Sequence, residues 1–105
     1  MYLERYIGEI RLLCQKNRVK SLYVFGSVLT DRFNDKSDID LIVDIDSIDP
    51  LEYSDFYFNL KFALEDLFKR EIDLLESRAL KNPYLIDNIN QSKTLLYASW
   101  NRDLA

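Results

Sequence analysis

The stretch Leu22-Tyr23-Val24-Phe25-Gly26-Ser27, ten further residues, and then Asp38-Ile39-Asp40-Leu41-Ile42-Val43-Asp44 decides how the rest of this chain folds. Leu22 to Phe25 is a short apolar run of strand formers, stopped by Gly26 and Ser27. From Asp38 to Asp44 the residues alternate. Ile39, Leu41 and Val43 are directed one way and Asp38, Asp40, Ile42 and Asp44 the other. A period of two sets the Asp38 and Asp40 carboxylates side by side on one strand face. Carboxylates that close repel each other and lose hydration with any burial, so a positive charge is expected between them. The chain has no His, and no basic residue lies within this strand, which points to a hard divalent cation. Oxygen ligands at this spacing suit Mg²⁺, which keeps several waters and is completed by substrate phosphates. Gly26-Ser27 follows a strand directly, and the missing Cβ lets backbone N–H groups approach phosphate oxygens.

A strand ending in Gly-Ser, a ten-residue spacer and an Asp-x-Asp opening a second strand resembles the nucleotidyltransferase superfamily that includes DNA polymerase beta. In its wider form, Gly-Ser-(x)10-Asp-Ile-Asp-Leu-Ile-Val in a chain of this length, it is similar to the minimal nucleotidyltransferase (MNT) family. The likeness runs from about Leu3 to Tyr97, and Gly26 to Val43 is its specific part. Neither Gly-Ser nor Asp-x-Asp would carry it alone. The resemblance implies that Gly26 and Ser27 hold a triphosphate and that Asp38 and Asp40 bind Mg²⁺, with two ions expected. It also implies that Asp73 is a third carboxylate and metal ligand, brought alongside by the next strand. The implied reaction transfers a nucleoside monophosphate, AMP from ATP, to a hydroxyl with release of pyrophosphate. Asp73 would then help take the hydroxyl proton, and two metal ions would clamp the attacking and leaving oxygens.

Other readings of the same acids stand beside this one. Glu71, Asp73 and Leu75 share a strand face, and an exposed edge strand explains two acids equally well. Asp44 lies farther along its strand and reads as a solvated strand end. The family often carries Arg at the third position after Gly-Ser, followed by Gly, where this chain has Thr30-Asp31. Arg32 and Lys36 are the candidates to supply the missing phosphate-gripping charge.

With 105 residues, 48% hydrophobic and 30% charged, the chain is expected to be one domain over 1–105, globular rather than disordered. No apolar run exceeds four residues, so no membrane span is expected, and the start lacks a signal-peptide pattern. The single Cys14 forms no internal disulfide and suits a reducing cytoplasm. It falls on an apolar stripe and reads as a small buried hydrophobe. A net charge of −4 without a basic cluster argues against extended contact with nucleic acid.

In chain order, Leu3, Ile7, Ile10, Leu13 and Cys14 recur at helical spacing and predict a helix to about Lys16. Asn17 to Lys20 reads as a turn, Ser27 to Phe33 as a short helix aimed at the Gly-Ser turn, and Arg32 to Lys36 as a polar loop. Asp49, Pro50 and Glu52 mark a helix start with a capping box. That helix is expected to run to about Lys69, with Tyr53, Phe56, Leu60, Ala63, Leu64 and Leu67 facing the core. Glu71 to Glu76 reads as a third strand, Asn82-Pro83 to about Gln91 as a short helix, Thr94 to Ala98 as a last strand, and Trp100 to Ala105 as a tail. The sum is an α/β (α+β) two-layer sandwich with a mixed sheet and helices mainly on one face. The face of Asp38 and Asp40 must then be partly open.

Larger members of the superfamily carry a second, acceptor-binding domain, so the acceptor site here is expected to come from another chain. By resemblance, that acceptor is a tyrosine of a HEPN-type ribonuclease toxin, with this chain as antitoxin. The alternatives are nucleotidylation of a small hydroxyl compound such as an aminoglycoside by a homodimer, and an inactive module that masks its partner by contact. Leu51, Phe58 and Phe62 form a second apolar stripe on the long helix and are the candidate contact with a partner or a second copy. Cover by the first helix or by the tail near Trp100 is the competing expectation.

Overall fold

The computed structural model describes residues 1–99. The expected tail, and any covering role for Trp100, lie outside the described residues. Within them the strands are β1 (Val19–Phe25), β2 (Ile39–Ile45), β3 (Ile72–Glu76) and β4 (Thr94–Ala98). The α-helices are α1 (Ile7–Lys16), α2 (Pro50–Phe68) and α3 (Pro83–Ser92). The strands form one sheet in the order β3-β2-β1-β4. β1 runs antiparallel to β2 and β4, while β2 and β3 are parallel. A parallel pair needs a crossover, and α2 is that crossover. The mixed-sheet α+β sandwich is the architecture expected.

The alternation of β2 decides the layers. Ile39, Leu41, Val43 and Ile45 are fully buried on the face that α2 packs against, with α1 seated beside it on β1 and β4. From α1 and its approach come Leu3, Ile10 and Cys14, from α2 Leu60 and Leu64, all without exposed surface. Each such side chain contributes about 1.5–3 kcal/mol through lost contact with water. Burial pushes the Cys14 thiol up to about 12, so it acts as a small hydrophobe. The third helix takes the other face. Ile86 and Ile89 of α3 line a cavity of about 110 Å³ with Ile42 and Leu80, leaving the Asp38/Asp40 end of that face uncovered by α3.

Several boundaries differ from the expectation. The first helix is split: Tyr2–Tyr6 is a 3-10 turn, and Tyr6 at φ −106°, ψ 7° interrupts the path into α1. Its ring packs edge-on against Phe68 at 5.3 Å. β1 begins at Val19, because Arg18 turns the chain with φ 54° and its carbonyl accepts the Asp46 N–H at 2.8 Å. The helix expected over Ser27 to Phe33 is a single 3-10 turn, Gly26–Leu29. It stops because the Thr30 N–H (2.9 Å) and hydroxyl (2.8 Å) both bond the Ser27 carbonyl while Thr30 turns extended. A turn this short carries no useful helix dipole. Phe33, placed in a polar loop by its neighbours, packs against the core.

α2 starts as its sequence directs: Asp49 accepts the N–H groups of Leu51 at 3.0 Å and Glu52 at 3.4 Å. The expected capping box is not completed through Glu52, whose carboxylate instead takes Arg18 at 3.3 Å. Tyr57, outside the expected core stripe, is half-buried and donates its hydroxyl to the Leu74 carbonyl at 2.6 Å, seating α2 on β3. Among the described residues no helix is long and apolar enough to cross a membrane.

Candidate active site

Three strands deliver the candidate site residues to one end of the sheet. β1 runs into Gly26 at its C-terminal end, while the antiparallel β2 and its parallel neighbour β3 both start there. Phe25 lies opposite Asp40, and Asp40 lies opposite Asp73. The flanking pairs, Ile39 with Ile72 and Leu41 with Leu74, are buried in the core. Asp40 and Asp73 therefore share the opposite face on adjacent strands, which lie about 4.8 Å apart. Asp38 precedes β2 and is exposed, as is Asp73, while Asp40 is half-buried.

The carboxylates act on one another. Asp40 has its pKa raised above the ordinary aspartate value, first by burial, then by the negative charges of Asp73 and Asp38. Among the described residues none of the three is in an ion pair. Gly26 supplies the other wall. Its φ is +82°, and a Cβ there would collide with Oδ2 of Asp40 and sit 3.2 Å from its Cγ. The backbone after β1 thus lies directly against the Asp40 carboxylate, an approach open only to glycine.

This donor set fits a magnesium ion. It offers hard carboxylate oxygens with excess negative charge. Among the described residues no three acidic or thiol side chains are closed into a ready-made cation cage. Mg²⁺ asks for few protein ligands and takes the rest from water and substrate phosphates, so an open pair of strand carboxylates suits it better than a cage. Asp40 and Asp73 would be the adjacent donors, with the exposed Asp38 beside them.

Ser27 sits half-buried in the turn after Gly26. Arg32 and Lys36 are both exposed on the loop before Asp38. Among the described residues neither forms an ion pair. Asp44 is not a solvated strand end: it pairs with Arg78 at 3.5 Å. Arg78 also donates to the carbonyls of Ile45 and Ser47 and lies over the Tyr53 ring at 4.3 Å. Asp44 is thus a neutralised structural acid. Sequence reasoning missed Arg78 and also Arg70, whose Nη1 donates to the carbonyls of Asn34 at 3.1 Å and Ser37 at 3.0 Å. No periodicity flags either, because their partners lie more than thirty residues away.

Residues 9–102 match the family described as "Polymerase beta, Nucleotidyltransferase". The chain is 36% identical over 83 residues to "Putative protein adenylyltransferase MJ0128" of Methanocaldococcus jannaschii, covering 77% of this chain and 80% of the relative. A solved structure described as a "putative minimal nucleotidyltransferase" superposes with a TM-score of 0.72 at 27% identity, covering 89% of this chain and 91% of the other. The fold is also shared with one chain of a solved structure described as "tri-AMPylated Shewanella oneidensis HEPN toxin in complex with MNT antitoxin". That match has a TM-score of 0.63 at 19% identity over 96% of this chain and 76% of the other.

Proposed function

This chain belongs to the polymerase beta nucleotidyltransferase family, and on that premise we propose that it transfers AMP from ATP to a tyrosine hydroxyl of a HEPN-type toxin, acting as its antitoxin. The observation that carries the reading is the register pair Asp40–Asp73 with the Gly26 backbone against it. Mg²⁺, when bound, neutralises the phosphates and polarises the α-phosphoryl group. Asp38, Asp40 and Asp73 would hold it. Gly26 and Ser27 would offer backbone N–H groups to the triphosphate, and Arg32 and Lys36 would screen its outer oxygens. Asp73 lies exposed on β3, an edge strand of the sheet, and in this reading the acceptor approaches there. It would orient the attacking hydroxyl and receive its proton as the new oxygen–phosphorus bond forms and pyrophosphate departs.

The choice of a protein acceptor is supported by the name of the archaeal relative, by the fold shared with an antitoxin bound to its AMPylated toxin, and by an exposed aromatic pair. Phe58 and Phe62 retain 47% and 60% of their surface and stack at 5.9 Å on α2. Partner docking there would leave the carboxylate end of the sheet, on the opposite face, free for the acceptor tyrosine. The buried free Cys14 is compatible with work in the cytoplasm.

The test is to purify the chain with whatever protein it retains and supply α-labelled ATP with Mg²⁺. Label on a tyrosine of the retained protein is the expected result. Label appearing instead on an added aminoglycoside would replace the protein acceptor with a small molecule. Retention of the partner with no label anywhere would leave a binding module.

A further inference from the structure

We propose that Arg70 is a positioning residue for Asp38, a role that rests on Asp38 being a metal ligand. Arg70 stands between α2 and β3, three residues ahead of Asp73. Its Nη1 donates to two backbone carbonyls across the chain, Asn34 at 3.1 Å and Ser37 at 3.0 Å. The Ser37 carbonyl belongs to the peptide group that carries the Asp38 N–H, so this bond acts one atom from the Asp38 backbone. The guanidinium is also held by two rings, its carbon 4.6 Å from the centroid of Phe33 and 4.9 Å from that of Tyr2. On the far side of Asp38 the Ile39 N–H reaches the Glu71 carbonyl at 3.5 Å. Asp38 is therefore bracketed on both sides by the two residues that lead into β3.

Among the described residues, the other hydrogen bonds of Asn34, Lys36 and Ser37 stay within the loop. Asn34 receives the Ser37 N–H at 3.0 Å on its carbonyl and the Lys36 N–H at 2.8 Å on its side chain. The Ser37 hydroxyl oxygen accepts the Asn34 N–H at 3.1 Å. These bonds give the loop a shape but no fixed place against the sheet, and Arg70 with the Phe33 ring supplies that place. Arg70 forms no ion pair among the described residues, so it is not a surface salt bridge. Two carbonyls and two ring faces are partners a planar guanidinium can take together and an ammonium cannot. The consequence is chemical: the exposed carboxylate of Asp38 is kept at a set distance from Asp40 and Asp73, and removing the clamp weakens cation binding before it weakens the fold.

Arg70→Gln, Arg70→Lys and Asp38→Asn test this with two readouts, the Mg²⁺ concentration that half-saturates ATP binding by calorimetry, and the circular dichroism spectrum. Groups that orient metal ligands are worth about 10- to 100-fold in metal affinity or activity. Arg70→Gln should raise the Mg²⁺ requirement by that order with an unchanged spectrum, and excess Mg²⁺ should restore ATP binding. Arg70→Lys should recover only part. A folded Arg70→Gln variant with the wild-type Mg²⁺ requirement, beside an impaired Asp38→Asn, overturns the positioning role alone. If Asp38→Asn itself leaves the Mg²⁺ requirement unchanged, the ligand role of Asp38 falls and the proposal falls with it. Should Arg70→Gln unfold, Phe33→Leu removes one ring wall and spares both hydrogen bonds. A raised Mg²⁺ requirement there supports the clamp, and an unchanged one overturns it.

Discussion

A methyl group is enough to disturb this site at Gly26. An alanine there would hold φ near +82° and drive its Cβ into the Asp40 carboxylate. The backbone cost alone is about 1–2 kcal/mol, and the collision adds to it. Gly26→Ala should therefore lower stability by at least that amount in denaturant titration and weaken nucleotide binding as well. Asp40 works in the other sense. Its folded pKa is raised by burial and by its two acidic neighbours, so its ionisation is a cost to the folded state. That cost is absent below the unfolded value and fully present once pH rises through the raised folded value. Asp40→Asn should then raise the thermal midpoint of the ligand-free protein at neutral pH by about 1–4 °C, kept small by water screening. The gain should vanish in acid, below the ordinary aspartate range. A loss of stability at neutral pH would mean that Asp40 is held by a partner rather than strained. For Asp73, which is exposed, Asp73→Asn should keep ATP binding and lower transfer by about 10²–10⁴-fold if it receives the proton. Transfer at the wild-type rate would leave it a strand-edge acid.

At the scale of elements, α2 has two characters. Leu60, Leu64 and Phe68 are buried against the sheet, whereas Leu51, Phe58 and Phe62 remain exposed. Neither α1 nor another described element covers the second stripe. Lys61 is shared between the two sides, paired with Glu65 at 3.3 Å and lying 5.6 Å from the centroid of the Phe62 ring. Since exposed phenylalanines contribute little to the core, Phe58→Ser/Phe62→Ser should leave the thermal midpoint within a few degrees of wild type. It should also weaken association with the partner, or with a second copy, by at least tenfold in sedimentation or calorimetric titration. An unfolded double variant would place the stripe in the core. A folded one that associates unchanged would move docking elsewhere.

The whole molecule concentrates unneutralised acid at one end of its sheet, and a ligand that removes this repulsion must stabilise the fold. A ligand at a hundredfold excess over its Kd adds about 2.7 kcal/mol through mass action. At that excess Mg²⁺ with ATP should raise the thermal midpoint by about 10 °C or more, and EDTA should abolish the gain. Asp38→Asn/Asp40→Asn should show none of it. A shift equal to wild type in that variant would put nucleotide binding away from these strands.

What this sequence determined by itself is what short-range rules govern. The period of two over Asp38 to Asp44 set the buried face of β2, because adjacent strand residues must point oppositely and only one side reaches the core. Asp49-Pro50 set the start of α2 through N–H groups a carboxylate can reach within three residues. Gly26-Ser27 before Asp38 and Asp40 carried the family resemblance, since backbone approach and paired carboxylates are local needs. Tertiary structure alone decided the rest. The resemblance singled out Asp73, but its place directly opposite Asp40 depends on the register of two strands separated by a long helix. The neutralisation of Asp44 by Arg78, the short turn in place of a helix after Gly26, and the position of Phe33 each turn on competing contacts that no window of sequence contains. The Arg70 clamp is the clearest case. Its residues look like an ordinary charged turn, and their role exists only because folding brings two carbonyls from more than thirty residues away within reach of one guanidinium.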